Sequence, residues 1–232
     1  MKFLIDTFKS FTKFEICLWL GSYFVIVVSF IFTSNKDYFN LAASLVGATA
    51  LIFVAKGNVI GQFLTVIFCV FYGIISFSYQ YYGEMITYVG MSMPIAIASI
   101  VTWLRNPFEG NKSEVKVAHL KLREYLLMFL LGAFVTIAFY FILKVFNTNN
   151  LITSTLSVLT SFIAAYLTMR RSEYYALAYA FNDIVLIFLW ILATMSNLSY
   201  LPLVLCFVVF LANDIYGFIH WSKTKKRQNL FS

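Results

Sequence analysis

Along this chain apolar residues come in long unbroken runs. Stretches of about 17–23 residues with almost no charge recur through its 232 residues. A helix of ~20 residues is what it takes to cross the hydrocarbon core of a bilayer. The pattern predicts eight spans, at 14–33, 40–55, 59–79, 84–104, 124–146, 152–169, 174–196 and 199–221, the second being the shortest. The fold class this implies is an all-α integral membrane protein with eight transmembrane helices.

One long polar loop, RNPFEGNKSEVKVAHLKLRE at 105–124, divides the chain. Aligned without gaps at an offset of 118, the halves match in aromatic and basic positions: Phe63 falls on Phe181, Tyr72 on Trp190, Tyr82 on Tyr200, Trp103 on Trp221 and Arg105 on Lys223. Spans 2–4 and 6–8 therefore read as two copies of a three-helix unit. Span 5 lies between them, and an odd connecting helix makes both copies start on the same side. This is the parallel repeat seen in SWEET-type transporters. Span 1 is an extra N-terminal helix added to the 3-1-3 bundle. The chain divides accordingly into 1–39 (basic N-terminus and extra helix), 40–104 (first repeat), 105–151 (loop and linker helix), 152–221 (second repeat) and 222–232 (basic tail).

Composition supports lipid as the solvent: 61% of residues are apolar and 12% charged, against about 25% charged in soluble domains. The net charge of +7 could suggest nucleic acid, but its distribution excludes that. With the N-terminus placed in the cytoplasm, fifteen Lys and Arg fall on the cytoplasmic side and only Lys36 and Lys144 outside. That bias is the positive-inside signal, which puts both termini in the cytoplasm. The tail KTKKRQ reads as a stop-transfer anchor. The opening MKFLIDTFKSFTKF is amphipathic and basic, but its apolar stretch is too long and lacks the small-residue site of a cleaved signal peptide. Cys17, Cys69 and Cys206 sit inside apolar runs without CxxC or Cys/His spacing, so they read as apolar filler rather than disulfides or zinc ligands. His119 and His220 stand near no nucleophile pattern. No cofactor or metal is expected.

Eight of the ten acidic residues lie in loops or at span edges, and Asp183 and Asp214 do not. Each follows an asparagine, in FNDIV at 181–185 and ANDIYGF at 212–218. At ~1.5 Å per residue both Asn-Asp pairs sit roughly 10–14 Å deep on antiparallel spans 7 and 8. A carboxylate at that depth faces the bundle interior or a watery cavity and marks a candidate site. The alternative is an interhelical hydrogen-bond clamp. Asn182 and Asn213 each offer one acceptor and two donors, which suit a carboxamide or sugar hydroxyls. Tyr175, Tyr179, Asn182, Asp183 and Trp190 recur at near-helical spacing, and Gln62 and Tyr72 come from the related span 3. Such a face, with aromatic rings over a delocalised cation, is a candidate substrate site; packing is the other use of the same rings. Pro94, in MSMPIAIAS, is expected to kink span 4.

The runs VGATALIFVAKGNVIGQ and FYGIISFSYQYYGEM, with the paired helix ends IVTWLRN and NDIYGFIHWSK, resemble the PnuC family of bacterial vitamin transporters over about residues 40–223. The resemblance implies a homotrimer in the inner membrane that conducts nicotinamide riboside by facilitated diffusion, with intracellular phosphorylation trapping the substrate. Related members carry thiamine, riboflavin or deoxynucleosides. By position, the resemblance assigns Asn182, Trp190 and Asn213 to the substrate. Where nicotinamide riboside carriers open helix 7 with two tryptophans, this chain has Tyr175 and Ala178, which implies a smaller stacking wall. Two other classes compete: the substrate-binding subunit of an ATP-driven vitamin importer, whose small-residue docking motif span 1 lacks, and a membrane enzyme, for which no paired catalytic groups are present.

Overall fold

The computed structural model describes residues 11–32, 38–148 and 150–230. Eight helices in it are long and apolar enough to cross a membrane: α1 Lys13–Phe32, α2 Tyr38–Ala55, α3 Val59–Ser78, α4 Tyr82–Leu104, α5 Leu122–Val145, α6 Leu151–Met169, α7 Tyr175–Ser196 and α8 Leu201–Asn229. The amphipathic N-terminal stretch up to residue 10, with Lys2 and Lys9, and Lys36 lie outside the described residues. The chain is a multi-pass membrane protein, and its surface shows why. Rings and aliphatic chains such as Phe24, Phe129, Leu130, Phe134 and Phe181 are more than half exposed, an arrangement only lipid tolerates.

Six helices close a ring. α2 packs on α3, α3 on α4, α4 on α6, α6 on α7, α7 on α8, and α8 returns to α2. The first helix of each three-helix unit thus meets the last helix of the other. α1 lies outside the seam between α2 and α8, and α5 rests on α6. Close approach is set by small residues: a Cβ at Gly61 would stand 2.5 Å from the Val54 nitrogen and 2.9 Å from the Ala50 carbonyl, so only glycine lets α3 lie this near α2.

Helix ends are built from local chemistry. Thr12 and Glu15 form a reciprocal cap at the start of α1: the Glu15 N–H donates to Thr12 Oγ1 at 3.2 Å, and the Thr12 N–H to Glu15 Oε2 at 2.5 Å. Asn58 Oδ1 accepts the Ile60 N–H at 3.0 Å to open α3. Many span hydroxyls return to carbonyls of their own helix, as Ser99 does to Ile95 at 2.8 Å and Thr168 to Ala164 at 2.8 Å, because lipid offers them no partner.

Three expectations change in detail. Pro94 was expected to kink α4; the irregularity is a π-helical segment, Thr87–Ser92, just before it. Proline supplies no N–H and its ring crowds the carbonyl four residues back, and widening the preceding turn relieves both. The loop at 105–124 carries a hairpin, β1 Pro107–Phe108 with β2 Asn111–Val115. It turns through Glu109 and Gly110, both at positive φ. The basic tail continues the last span as helix, since α8 runs to Asn229 and its last turns clasp the hairpin. Gln228 accepts the Val117 N–H at 2.8 Å and donates to the Val115 carbonyl at 3.1 Å and to Glu114 at 2.7 Å, and Arg227 pairs with Glu114. The hairpin, the start of α1 and the end of α8 share one end of the bundle, called the basic end here; the other is the far end.

Candidate functional site

Inside the ring is a cavity of about 60 Å³, room for roughly four waters. All six ring helices contribute to its wall, among them Gly47 of α2, Gln62 of α3, Tyr88 and Ser92 of α4, Ser161 of α6, Asn182 of α7 and Phe207 of α8. A smaller pocket adjoins it, sharing Gln62, Ser92, Thr168 and Tyr179.

α7 supplies the densest face. Tyr175, Tyr179, Asn182 and Asp183 follow one another at four, three and one positions, so a single side of the helix presents all four to the cavity. Asn182 is buried, and its Oδ1 accepts the Ser161 hydroxyl at 2.9 Å. The Thr160 hydroxyl lies 2.8 Å from the same oxygen and is shared with carbonyls of its own helix. With its oxygen held this way, the Asn182 amide nitrogen is the group left to donate. Asp183 of α7 and Asp214 of α8, on neighbouring helices, are both 3% exposed and both line the cavity. Asp183 Oδ2 has no hydrogen-bond partner. Phe68, Phe207 and Phe210 complete an aromatic wall.

Both ends of the cavity are closed by residues related by the repeat. Toward the far end, Trp190 Nε1 donates to the Tyr72 hydroxyl at 2.9 Å, and the two positions are 118 apart. Tyr81 and Tyr200 lie over the Trp190 ring at 4.8 and 5.7 Å between centroids, and Tyr79 packs on Tyr200 at 5.0 Å. Toward the basic end, Trp103 and Trp221 are 5.5 Å apart, with Tyr175 4.7 Å from Trp221. Trp103 donates to the Thr168 carbonyl and Trp221 to the Val54 carbonyl, both at 3.0 Å. Each repeat's last helix therefore caps the first helix of the other.

Of the residues singled out from sequence, Gln62, Tyr175, Tyr179, Asn182, Asp183 and Asp214 line the cavity together. Tyr72 and Trp190 stand at its far-end closure. Asn213 is placed elsewhere: its Nδ2 donates to Ser22 of α1 at 3.0 Å and to the Val209 carbonyl at 2.8 Å. Ala178 is half-buried against the apolar cluster around Trp103 and Trp221 and stands off the cavity wall. Sequence reasoning missed Ser161 and Thr168, hydroxyls whose only signal is their place on the helix facing Asn182. It placed Glu15 and Glu84 at helix edges, where the structure has them in first turns, but gave no sign that both are buried. Glu15 is fully buried because Lys56 and Tyr216 reach it, Nζ at 3.0 Å and the hydroxyl at 2.6 Å. Glu84 is 1% exposed because α6 covers it; Ser157 donates to its Oε1 at 2.8 Å, and Oε2 has no partner.

Residues 37–223 match the family model described as nicotinamide mononucleotide transporter. The chain is 28% identical over 230 residues to the nicotinamide riboside transporter PnuC of Neisseria mucosa, covering 97% of this chain and 86% of that protein. It is 21% identical over 217 residues to the nicotinamide riboside transporter PnuC of Haemophilus influenzae, covering 93% and 92%. Its structure superposes on a crystal structure of the vitamin B3 transporter PnuC with a TM-score of 0.82 at 25% identity, over 94% of each chain.

Proposed function

The chain belongs to the PnuC family of membrane transporters, and on that premise we propose that it carries nicotinamide riboside across the bacterial inner membrane. The observation that supports this most is the cavity between two repeat-related aromatic closures, lined by an amide, a carboxyl pair and flat rings. An amide nitrogen and hydroxyls suit the carboxamide and ribose of the ligand. Aromatic faces suit its pyridinium ring.

The ligand's path follows from the two closures. At about 60 Å³ the cavity is smaller than the 300–1,000 Å³ typical of ligand pockets, so the ring widens when a nucleoside enters. Tyr72–Trp190 parts to admit it at the far end, and Trp103–Trp221 parts to release it at the basic end. With the basic end in the cytoplasm and the movement downhill, phosphorylation of the product inside the cell keeps the gradient inward. The family resemblance adds a homotrimeric assembly to the proposal.

The full chain reconstituted in vesicles is expected to equilibrate labelled nicotinamide riboside without ATP or an ion gradient. A kinase with ATP sealed in the lumen should raise accumulation above the equilibrium level. Uptake that requires ATP outside the lumen or an imposed ion gradient overturns the downhill mechanism, and no uptake overturns the substrate. Thiamine and deoxynucleosides in the same vesicles test the alternative cargo that the change to Tyr175 and Ala178 suggests.

A further inference from the structure

The cavity wall holds two carboxyl groups, and none of its described residues is basic. The ion pairs of the described residues lie at the basic end, at Glu15–Lys56, Glu114–Arg227, Glu124–Arg170 and Glu173–Lys225. Nothing in the cavity balances charge on Asp183 and Asp214.

We propose that the Asp183–Asp214 pair makes this cavity selective for ligands carrying a delocalised positive charge, a pyridinium or thiazolium ring, over neutral rings of the same shape. This deepens the transport reading above and rests on it. The two carboxyls are buried in the same cavity wall on neighbouring helices, and a cationic ring that enters the cavity holds one of them as its carboxylate. Asp183 Oδ2, buried on the cavity wall and without a partner, is the acceptor left for a ligand. A carboxylate in this setting is costly until an opposite charge arrives, and a cationic ring supplies it. Tyr175, Tyr179 and Phe207 line the same space, so the ring's charge meets π-faces as well as the carboxylate. Size and hydrogen bonding hold the ligand; the carboxyl pair sets its charge.

The test compares nicotinamide riboside with its reduced 1,4-dihydro form, which keeps the ribose, carboxamide and ring size but carries no charge. Binding of both to the full chain in detergent, read by calorimetry, is expected to favour the charged form by tenfold or more. Asp183→Asn and Asp214→Asn should each bring that ratio close to one by weakening the charged form, while Asp183→Glu retains it. Equal affinity for the two forms in the unmodified protein overturns the inference, as does a ratio unchanged in both asparagine variants. Should the asparagine variants not fold, the ratio in the unmodified protein decides alone. The two readings fail separately. If neither nicotinamide form binds but thiamine binds at least tenfold better than thymidine, the substrate assignment falls and charge selection stands; if none of the four binds, both fall.

Discussion

Trp190 donates its indole N–H to the hydroxyl of Tyr72 across 2.9 Å, and the two residues hold the same position in the two three-helix units. Repeat mates that touch must lie on the axis relating the repeats, so this bond marks the axis at the far end of the cavity. Tyr72→Phe is expected to lower stability by about 1–3 kcal/mol, since it strands a buried N–H. In a Trp190→Phe background the same change should cost about 1 kcal/mol less, because the donor is already gone. Unfolding of the four proteins in detergent gives the coupling; strictly additive costs would mean that the bond contributes nothing.

Trp103 and Trp221 mark the same axis at the basic end, each capping a carbonyl of the opposite unit at 3.0 Å. Replacing either with Phe removes the indole bond while the carbonyl keeps a backbone N–H, Gly57 to Val54 at 2.9 Å or Arg171 to Thr168 at 3.0 Å, so the cost is about 0.5–1.5 kcal/mol plus the lost volume. The two penalties are expected to agree within about 1 kcal/mol, as matching environments require. A much larger loss at one position would show that the two caps do unequal work.

Asn182 and Asn213 look alike in sequence but sit in different surroundings. Asn182→Ala removes a cavity amide and is expected to weaken nicotinamide riboside binding by about 1–3 kcal/mol, roughly 5- to 150-fold. Asn213→Ala cuts the link to Ser22 of α1 and is expected to lower thermal stability with less than a threefold change in affinity. Calorimetry alongside thermal unfolding separates the two; the opposite pattern would move the binding site toward α1.

Glu15 is fully buried and Lys56 13% exposed, paired at 3.0 Å where α1 meets the turn between α2 and α3. Removing one partner strands the other charge, so Lys56→Met is expected to cost about 3–5 kcal/mol. Glu15→Leu with Lys56→Met together should cost less than Lys56→Met alone. Chemical unfolding of the two variants checks the order; a milder single substitution would mean that Tyr216 and water satisfy Glu15 without the lysine.

Orientation is open to direct labelling. Single cysteines at Lys116, beside the hairpin, and at Lys144, at the far end of α5, in a background free of Cys17, Cys69 and Cys206, are expected to react from the cytoplasmic and the outer side respectively. Reaction of both from one side would contradict the positive-inside assignment.

Apolar run length placed every helix within two residues except the end of α8, which continues through the basic tail to Asn229, because lipid allows no other reading of ~20 uncharged residues and says nothing of a helix that runs on into water. The carboxyl pair was legible for a related reason: Asp183 and Asp214 interrupt such runs at similar depth on antiparallel helices. Glu15 and Glu84 were not, since a position near a helix end says nothing about whether a neighbouring helix covers it. The repeat was legible only in part. An offset of 118 aligns α3 and α4 with α7 and α8, but Val54 and Thr168, which accept the matching tryptophans, are 114 apart. Turn hydrogen bonds repeat at 114 as well, from Lys56, Gly57 and Asn58 to Arg170, Arg171 and Ser172. Four residues inserted after Ser172 put the first helix of each unit out of step, which an ungapped comparison cannot follow.

The crossed tryptophans make each unit depend on the other. A three-helix unit whose closing indole finds its acceptor only on the other unit is unfinished alone. Two identical units would build identical walls. These two do not: Asp183 stands where the first unit has Thr65, and Phe210 where it has Ser92, all four on the wall. A ligand with a charged ring at one end and a sugar at the other has no twofold symmetry, and a ring closed by two unlike units can offer a different half-wall to each end.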